Sequence, residues 1–507
     1  MAQDDKQLFL IRRDFSAGEN SRQHASIVGE NQAEVLENWD IGIAGQTTKI
    51  NGLTLVEDLS TDAGTGLFGF EPIGGTNVLV ATHGQKLETW TGTGTFTEQK
   101  TDFTTNLSTT MIKCGESGIG DVFLASNGTD SVFRFDPADY DAPQNLANDN
   151  TSPPYTTVML YYRNRVWALK DNLLYFSDAY PADYALAFDR TTNAFKIPVG
   201  AERALIGLRD LGIIIIGQDQ VWGLNPTLTP APTTDKPEKI LEIGCVASNT
   251  AVMVGDDVYF LSKDGVRGVF RTQQDKLQGG ASYPLSFALK TRFEAISWGS
   301  ITKACAVYFD NKYFLSLPVD ASTYNNEVWV YYPASQAWCV IPDWNVAKFA
   351  TVAISGEQRL YAIDSTDGLV YRAWYGNDNN GTDITSVAAG REEDFGQPLV
   401  TKVGGEIEIQ AEVAGSGNSL LVEVALDGLN YQTLGTIDLS SSTAPILPID
   451  LPFTLTDSYI VREKLHLESL GRFRTIQIRV TNSDDNTDPI IFYGYNIVTF
   501  AEEYENE

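Results

Sequence analysis

The sequence predicts an all-β protein, a β-propeller of six or seven irregular blades followed by a C-terminal antiparallel β-sandwich. Two observations carry this reading. Short apolar runs recur in pairs around Asn, Asp or Gly turns from about Leu67 to Tyr375. Beyond Gln397 the pattern becomes an alternation of apolar and polar residues.

The paired runs read as hairpins. Val166-Trp-Ala-Leu169 and Leu173-Leu-Tyr-Phe176 flank Lys170-Asp171-Asn172, Val258-Tyr-Phe-Leu261 precedes Asp264-Gly265, and Ala306-Val-Tyr-Phe309 and Lys312-Tyr-Phe-Leu315 flank Asp310-Asn311. Asn, Asp and Gly tolerate the positive φ of tight hairpin turns, while Val, Tyr, Phe and Trp suit a pleated, packed surface. Candidate blades span 67–100, 111–147, 157–190, 203–225, 249–283, 303–344 and 349–376, at irregular spacing.

Ahead of them, residues 1–60 hold one helical pattern, Glu30 to Asn38, with Ala33, Leu36 and Trp39 on one face. This segment is expected to pack on or close the propeller, which occupies 61–376. The polar run Asn377-Asp-Asn-Asn-Gly-Thr382 opens a linker over 377–396. In 397–507, Ile407, Ile409, Ala411 and Val413 alternate with Glu406, Glu408, Gln410 and Glu412, and Leu420, Val422, Val424 and Leu426 repeat the pattern. Asp427-Gly428 then turns the chain. Ile476, Ile478 and Val480 alternate in the same way, which fits a two-layer sheet structure with one wet face. The tail Glu502 to Glu507 is too acidic to be buried.

At 507 residues the chain has room for two or three domains, and 43% hydrophobic and 11% aromatic residues fit sheet packing rather than disorder. No apolar run has the length of a membrane span, and Met1-Ala-Gln-Asp-Asp-Lys lacks a signal pattern, so synthesis in a cytoplasm is expected. Net charge is −30, from 66 acids against 36 bases. That balance disfavours tight nucleic-acid binding, which needs a lysine and arginine surface. It suits solubility or a salty medium, and equally an acidic wall along which DNA passes without sticking.

Motifs for chemistry are absent: there is no P-loop, dinucleotide fingerprint, H-E-x-x-H, G-x-S-x-G elbow or EF-hand loop. Cys114, Cys245, Cys305 and Cys339 form no C-x-x-C pair and read as buried thiols, although Cys305 and Cys339 lie close enough in sequence to share a blade. His24, His83 and His466 are dispersed and read as structural. The pairs Asp256-Asp257 and Asp484-Asp485 read as solvated, and Trp39-Asp40 as a lone dipeptide. The expectation is a protein that is not an enzyme and holds no cofactor or metal.

Two proline-rich segments leave the sheet pattern, Asp136 to Pro154 and Asn225 to Pro237. Within the second, Pro226, Thr229, Pro230, Pro232, Asp235, Lys236 and Pro237 are the candidate contact residues, toward a lumen or a neighbouring subunit.

Three stretches carry a family resemblance. Asp14-Phe-Ser-Ala-Gly-Glu-Asn20, followed by Asn31-Gln-Ala, Leu36-Glu-Asn38 and Lys49-Ile-Asn-Gly52, is similar to the D-F-S-G-G-x-N and N-Q-A stretch of tailed-phage virion proteins; Ala17 and Glu19 depart from the commoner residues. Glu242 to Ser248, running on to Gly255–Ser262 and Asp264-Gly-Val-Arg267, resembles the propeller core of the same proteins, and Asp394-Phe-Gly-Gln-Pro398 with Lys402 the handover to the sandwich. The family is the tail nozzle, or tail tubular protein B, of short-tailed bacteriophages. The resemblance implies a structural virion subunit in a hexameric ring, a conduit for genome retention and ejection. Its implied neighbours are a portal-proximal adaptor and tail fibre or needle proteins, with genome DNA passing through the lumen unbound. Acidic side chains are then expected on the axis-facing wall.

Other readings stay open. A host-surface carbohydrate-binding propeller would stack sugar on Trp329, Trp338 or Trp344, for which packing between blades is the plainer role; another tail adaptor and a cytoplasmic scaffold propeller are the further alternatives.

Overall fold

A computed structural model describes residues 6–12, 14–136, 144–209, 212–279, 282–412, 417–439, 460–484 and 490–502. Pro137, Pro143, Val413, Asp485 and the acidic tail beyond Glu502, all singled out above, lie outside the described residues.

Seven units of three or four antiparallel strands follow one another around a centre. They occupy 64–100, 110–146, 159–196, 202–241, 252–268, 305–342 and 346–373, the last completed by Leu53–Asp58. Six are sheets of their own, and the unit at 305–342 continues into a larger nine-stranded sheet. The innermost strands, among them Gly64–Phe70, Thr110–Glu116, Met159–Tyr162 and Glu202–Leu208, pack side by side, and Val346–Ile354 returns against Gly64–Phe70 to close the circle. The arrangement is a β-propeller.

Each blade is buried on both faces, and this explains its unbroken apolar runs. Because successive side chains point to opposite faces, Ile213 and Ile215 pack with Trp167 and Phe176 of the preceding blade. Ile214 and Ile216 pack with Val258 and Phe260 of the following one. Blade 305–342 does the same. Tyr313, Leu315, Trp329 and Tyr331 face Tyr259 and Leu261, while Phe314, Val328 and Val330 face Val346 and Phe349. The turn residues take the conformations their types favour: Asp171 and Asn172 have φ of 53° and 61°, and Asp310 and Asn311 have φ of 48° and 56°.

A second unit lies beside blade 305–342. One of its sheets orders Trp39–Asp40, Thr47–Lys49, Ile491–Ala501, Lys402–Glu412 and Ile460–His466, with Lys6–Arg12 also paired to Ile491–Ala501. The other orders Val35–Glu37, Ser386–Glu393, Ile476–Asn482, Ser419–Leu426 and Gln432–Asp438. Ile407, Ile409 and Ile497 of the first share one apolar cluster with Leu420, Val422, Val424, Ile478 and Val480 of the second.

Three expectations need correction, and the fifth blade departs from its neighbours. Residues 30–38 form no helix: Val35–Glu37 is a strand, parallel to Ala337–Pro342 and antiparallel to Ser386–Glu393, and backbone partners on both sides outweigh a short helical pattern. Residues 377–396 are not merely a linker, because Ser386–Glu393 is an interior strand; its small residues Ala388 and Ala389 gave no strong apolar signal. The fourth blade continues past Asn225 to Leu241, so the proline-rich loop lies within it. In the fifth, the helix Val269–Leu277 follows three strands where a fourth would stand.

Candidate functional site

The loop at 225–237 connects the third and fourth strands of its blade, on the rim and away from the innermost strand. It is folded rather than extended. Pro226, Pro230 and Asp235 are buried, and Thr229 and Lys236 are exposed with Leu228 at the tip. Asp235 organises it by accepting hydrogen bonds from the N–H of Ala231 (3.0 Å), the N–H of Thr227 (3.3 Å) and the Thr227 hydroxyl (3.2 Å). Desolvation works to raise its carboxyl, but these donors prevail and hold it below the usual carboxylate range. Lys236 reaches the Pro232 carbonyl at 3.4 Å, and Arg163 of the preceding blade donates to the Pro226 carbonyl. Pro237 leads into the outermost strand.

Of the residues that carry the family resemblance, those at 14–20, 31–38 and 49–52 gather at the junction of the two units, while those at 242–267 lie in the fourth and fifth blades. Phe15 is buried and stacks on Phe492 at 6.2 Å. Gly18 lies on the backbone of Trp338, Glu19 N–H donates to the Trp338 carbonyl (2.8 Å), and Asn20 N–H to that of Ala33 (2.8 Å). The Glu19 carboxylate accepts from Leu36 N–H (3.0 Å) and from Arg292 Nε (2.8 Å). Arg292 also meets Glu37 (2.6 Å) and Glu327 (3.6 Å), so three carboxylates share one guanidinium. Burial pushes Glu327 up to about 7 against the pull of Arg292, and burial likewise raises Glu19. Gly52 packs against the Asp378 carbonyl, where no Cβ fits. Lys402 is fully buried and donates to the carbonyls of Gln397 (2.9 Å), Val400 (3.0 Å) and Arg474 (2.6 Å). The motifs at 14–20 and 31–38 are a structural clip between propeller and second unit, whereas Lys402 ties segments within the second unit.

Groups with catalytic potential are placed otherwise. All four cysteines are free and buried. Burial pushes Cys305 up to about 12 and Cys114 and Cys339 higher still, so none is a ready thiolate. His83 is buried between the Ser60 hydroxyl (Nδ1 to Oγ, 2.8 Å) and Glu88 (3.5 Å), but Ser60 Oγ also accepts from Asp62 N–H, as a turn-capping hydroxyl does. His24 caps a short 3-10 turn at Ala25–Ile27, and His466 lies on the strand Ile460–His466. Among the described residues no group of His, Cys, Asp or Glu is arranged to hold a metal ion. Trp329, Trp338 and Trp344 are at most 1% exposed and belong to the core, so they offer no stacking platform for sugar.

The propeller's centre holds two adjoining cavities, of about 240 and 390 Å³. The first is lined from all seven blades, by residues such as Leu67, Thr110, Val158, Arg203, Val252, Ala306 and Lys348. The second opens at the end where the innermost strands begin, between Thr65, Asn106, Asn249, Lys303, Tyr324 and Lys348. Neither lining contains an aspartate or glutamate. Sequence reasoning missed this place, because its residues come singly from strands far apart in the chain.

No family model and no curated protein matches the chain. Similar solved structures include a crystal structure of BBS1N in complex with ARL6DN, at 15% identity and TM-score 0.40, covering 64% of this chain and 97% of that one. PorZ, a bacterial surface component of the type-IX secretion system of Porphyromonas gingivalis, is 12% identical with TM-score 0.35, over 70% of this chain and 44% of its own. The AfRom2 CNH domain is 10% identical with TM-score 0.39, over 64% and 98%. These are distant likenesses of fold and carry no functional argument. Among the described residues no helix is long and apolar enough to cross a membrane.

Proposed function

We propose that this chain is a non-catalytic propeller whose work is to bind other proteins, copies of itself among them. The observation that supports this reading is the clip. Leu53–Asp58 completes the last blade, Val35–Glu37 bridges a blade strand and a strand of the second unit, and Lys6–Arg12 lies on Ile491–Ala501. The chain spends its N-terminal residues on making one stiff body from two units, which suits a part that transmits load and presents fixed surfaces. Within the same proposal, the narrower form is the phage tail nozzle, a virion subunit in a ring, and the net charge of −30 supports it because such a surface repels the phosphates that pass it. Its neighbours would be a portal-proximal adaptor and fibre or needle proteins.

Electron microscopy of the purified protein with light scattering tests both forms. A ring with an open pore, and the chain's presence in purified particles by mass spectrometry, are expected for the nozzle. A closed hetero-complex with cellular proteins would retain only the broader binding role. A strict monomer that captures no partner and is absent from particles would overturn the proposal.

A further inference from the structure

The centre of the propeller reverses the charge of the rest of the molecule. In a chain with 66 acids and 36 bases, the cavity linings carry Arg203, Lys303 and Lys348 and no carboxylate. Two of these cations sit at register breaks on innermost strands. Pairing steps from Glu202 to Ala204 across Arg203, and from Val346 to Lys348 across Ala347. Such bulges turn a side chain out of the regular alternation and are common beside binding sites.

Their hydrogen bonding is incomplete. Lys348 makes no hydrogen bond or ion pair among the described residues, although it borders both cavities. Arg203 donates from Nη2 to Gln218 at 3.0 Å, while its buried Nε has no partner. Lys303 uses one donor on the Thr323 carbonyl at 2.7 Å. Lys348 is half-buried, and desolvation lowers it to about 8, with the Cys305 thiol opposing. A desolvated, unpaired ammonium is costly unless an anion joins it.

We propose that the propeller's central channel binds a small oxyanion, phosphate or carboxylate, at Lys348, which borders both cavities, with Arg203 lining the inner one and Lys303 the outer. Neutral donors surround the place: Thr65, Ser108, Asn106, Asn249 and Thr302 border the outer cavity. The outer cavity has a volume of about 390 Å³. That volume suits a small ligand and lies at the lower end for organic ones. Lysine supplies the point charge, and the arginine fork supplies directed donors to an oxyanion.

Equilibrium dialysis of the full chain with radiolabelled inorganic phosphate tests this. Wild type should bind about one phosphate saturably, Lys348→Met should bind at least tenfold more weakly, and Lys348→Arg should stay within about threefold. Arg203→Gln should also weaken binding, and it provides the test if Lys348→Met fails to fold. Competition with succinate separates the sources: displacement marks a general oxyanion site, and saturable binding without displacement marks a phosphate site. Absence of saturable binding of either anion, or equal binding by wild type and a folded Lys348→Met or Arg203→Gln chain, would overturn the proposal.

Discussion

Gly18 rests directly on the backbone of Trp338: a Cβ at residue 18 would lie 2.5 Å from the Trp338 carbonyl oxygen and 2.6 Å from its nitrogen. Its φ of +70° adds a second reason for glycine. Gly18→Ala should therefore destabilise the chain by about 2–4 kcal/mol, since neither backbone can yield without breaking the bond from Glu19 N–H. Denaturant unfolding measures this, and a loss under about 0.5 kcal/mol would show that the clip is slack.

Glu327 predicts a pH dependence. Its folded value is raised to about 7, by burial first and against Arg292, from the ordinary glutamate value of 4.5. The folded state thus favours the protonated acid, so its contribution to stability is full below about pH 4.5 and is lost as pH rises through 7. The loss is on the order of 3 kcal/mol at 1.36 kcal/mol per unit. Glu327→Gln, which still accepts from the Trp329 indole, should flatten stability across this window. Parallel stability curves for the two proteins would refute the assignment.

Arg12 and Glu393 form a buried ion pair that ties the first described strand to Ser386–Glu393, with Arg391 at 3.2 Å from the same carboxylate. Arg12→Met should cost about 3 kcal/mol by leaving Glu393 short of charge. Adding Glu393→Leu should restore part of that loss, and a double-mutant cycle reads the coupling. Additive effects would mean that the pair contributes nothing as a pair.

The rim loop gives a prediction that separates fold from assembly. Asp235→Ala removes the acceptor of three hydrogen bonds and should expose the amides of Thr227 and Ala231 to faster hydrogen exchange while changing global stability by less than about 1 kcal/mol. Removing 226–237 should alter assembly, read by gel filtration with light scattering, and spare the subunit's fold. Unchanged assembly would take the loop out of any interface.

The blades were legible in the sequence because hairpin chemistry is local. Asp171-Asn172 and Asp310-Asn311 announce their turns, and the flanking aromatic and β-branched runs announce strands. Val35–Glu37 was not legible, since its strand character comes from partners about 300 and 350 residues away, beyond any local window. The motif at 14–20 was visible as a pattern, but only the packing of Gly18 and Glu19 shows that it serves the junction. Lys348 and Arg203 carried no signal at all, since the propeller alone brings them to one cavity.

The pairing of Lys6–Arg12 with Ile491–Ala501, which joins Lys6 to Ala501 and Arg12 to Tyr495, sets an order of events at the ribosome. Lys6–Arg12 must wait unpaired until Ile491–Ala501 is made, roughly 25–100 s at about 5–20 residues per second. Through that interval Phe9 and Ile11, exposed even in the finished protein, remain with the rest of the strand as a sticky edge. This pairing therefore closes only after the about 480 intervening residues are made, and a nascent-chain chaperone acting on this protein would find a target in Lys6–Arg12.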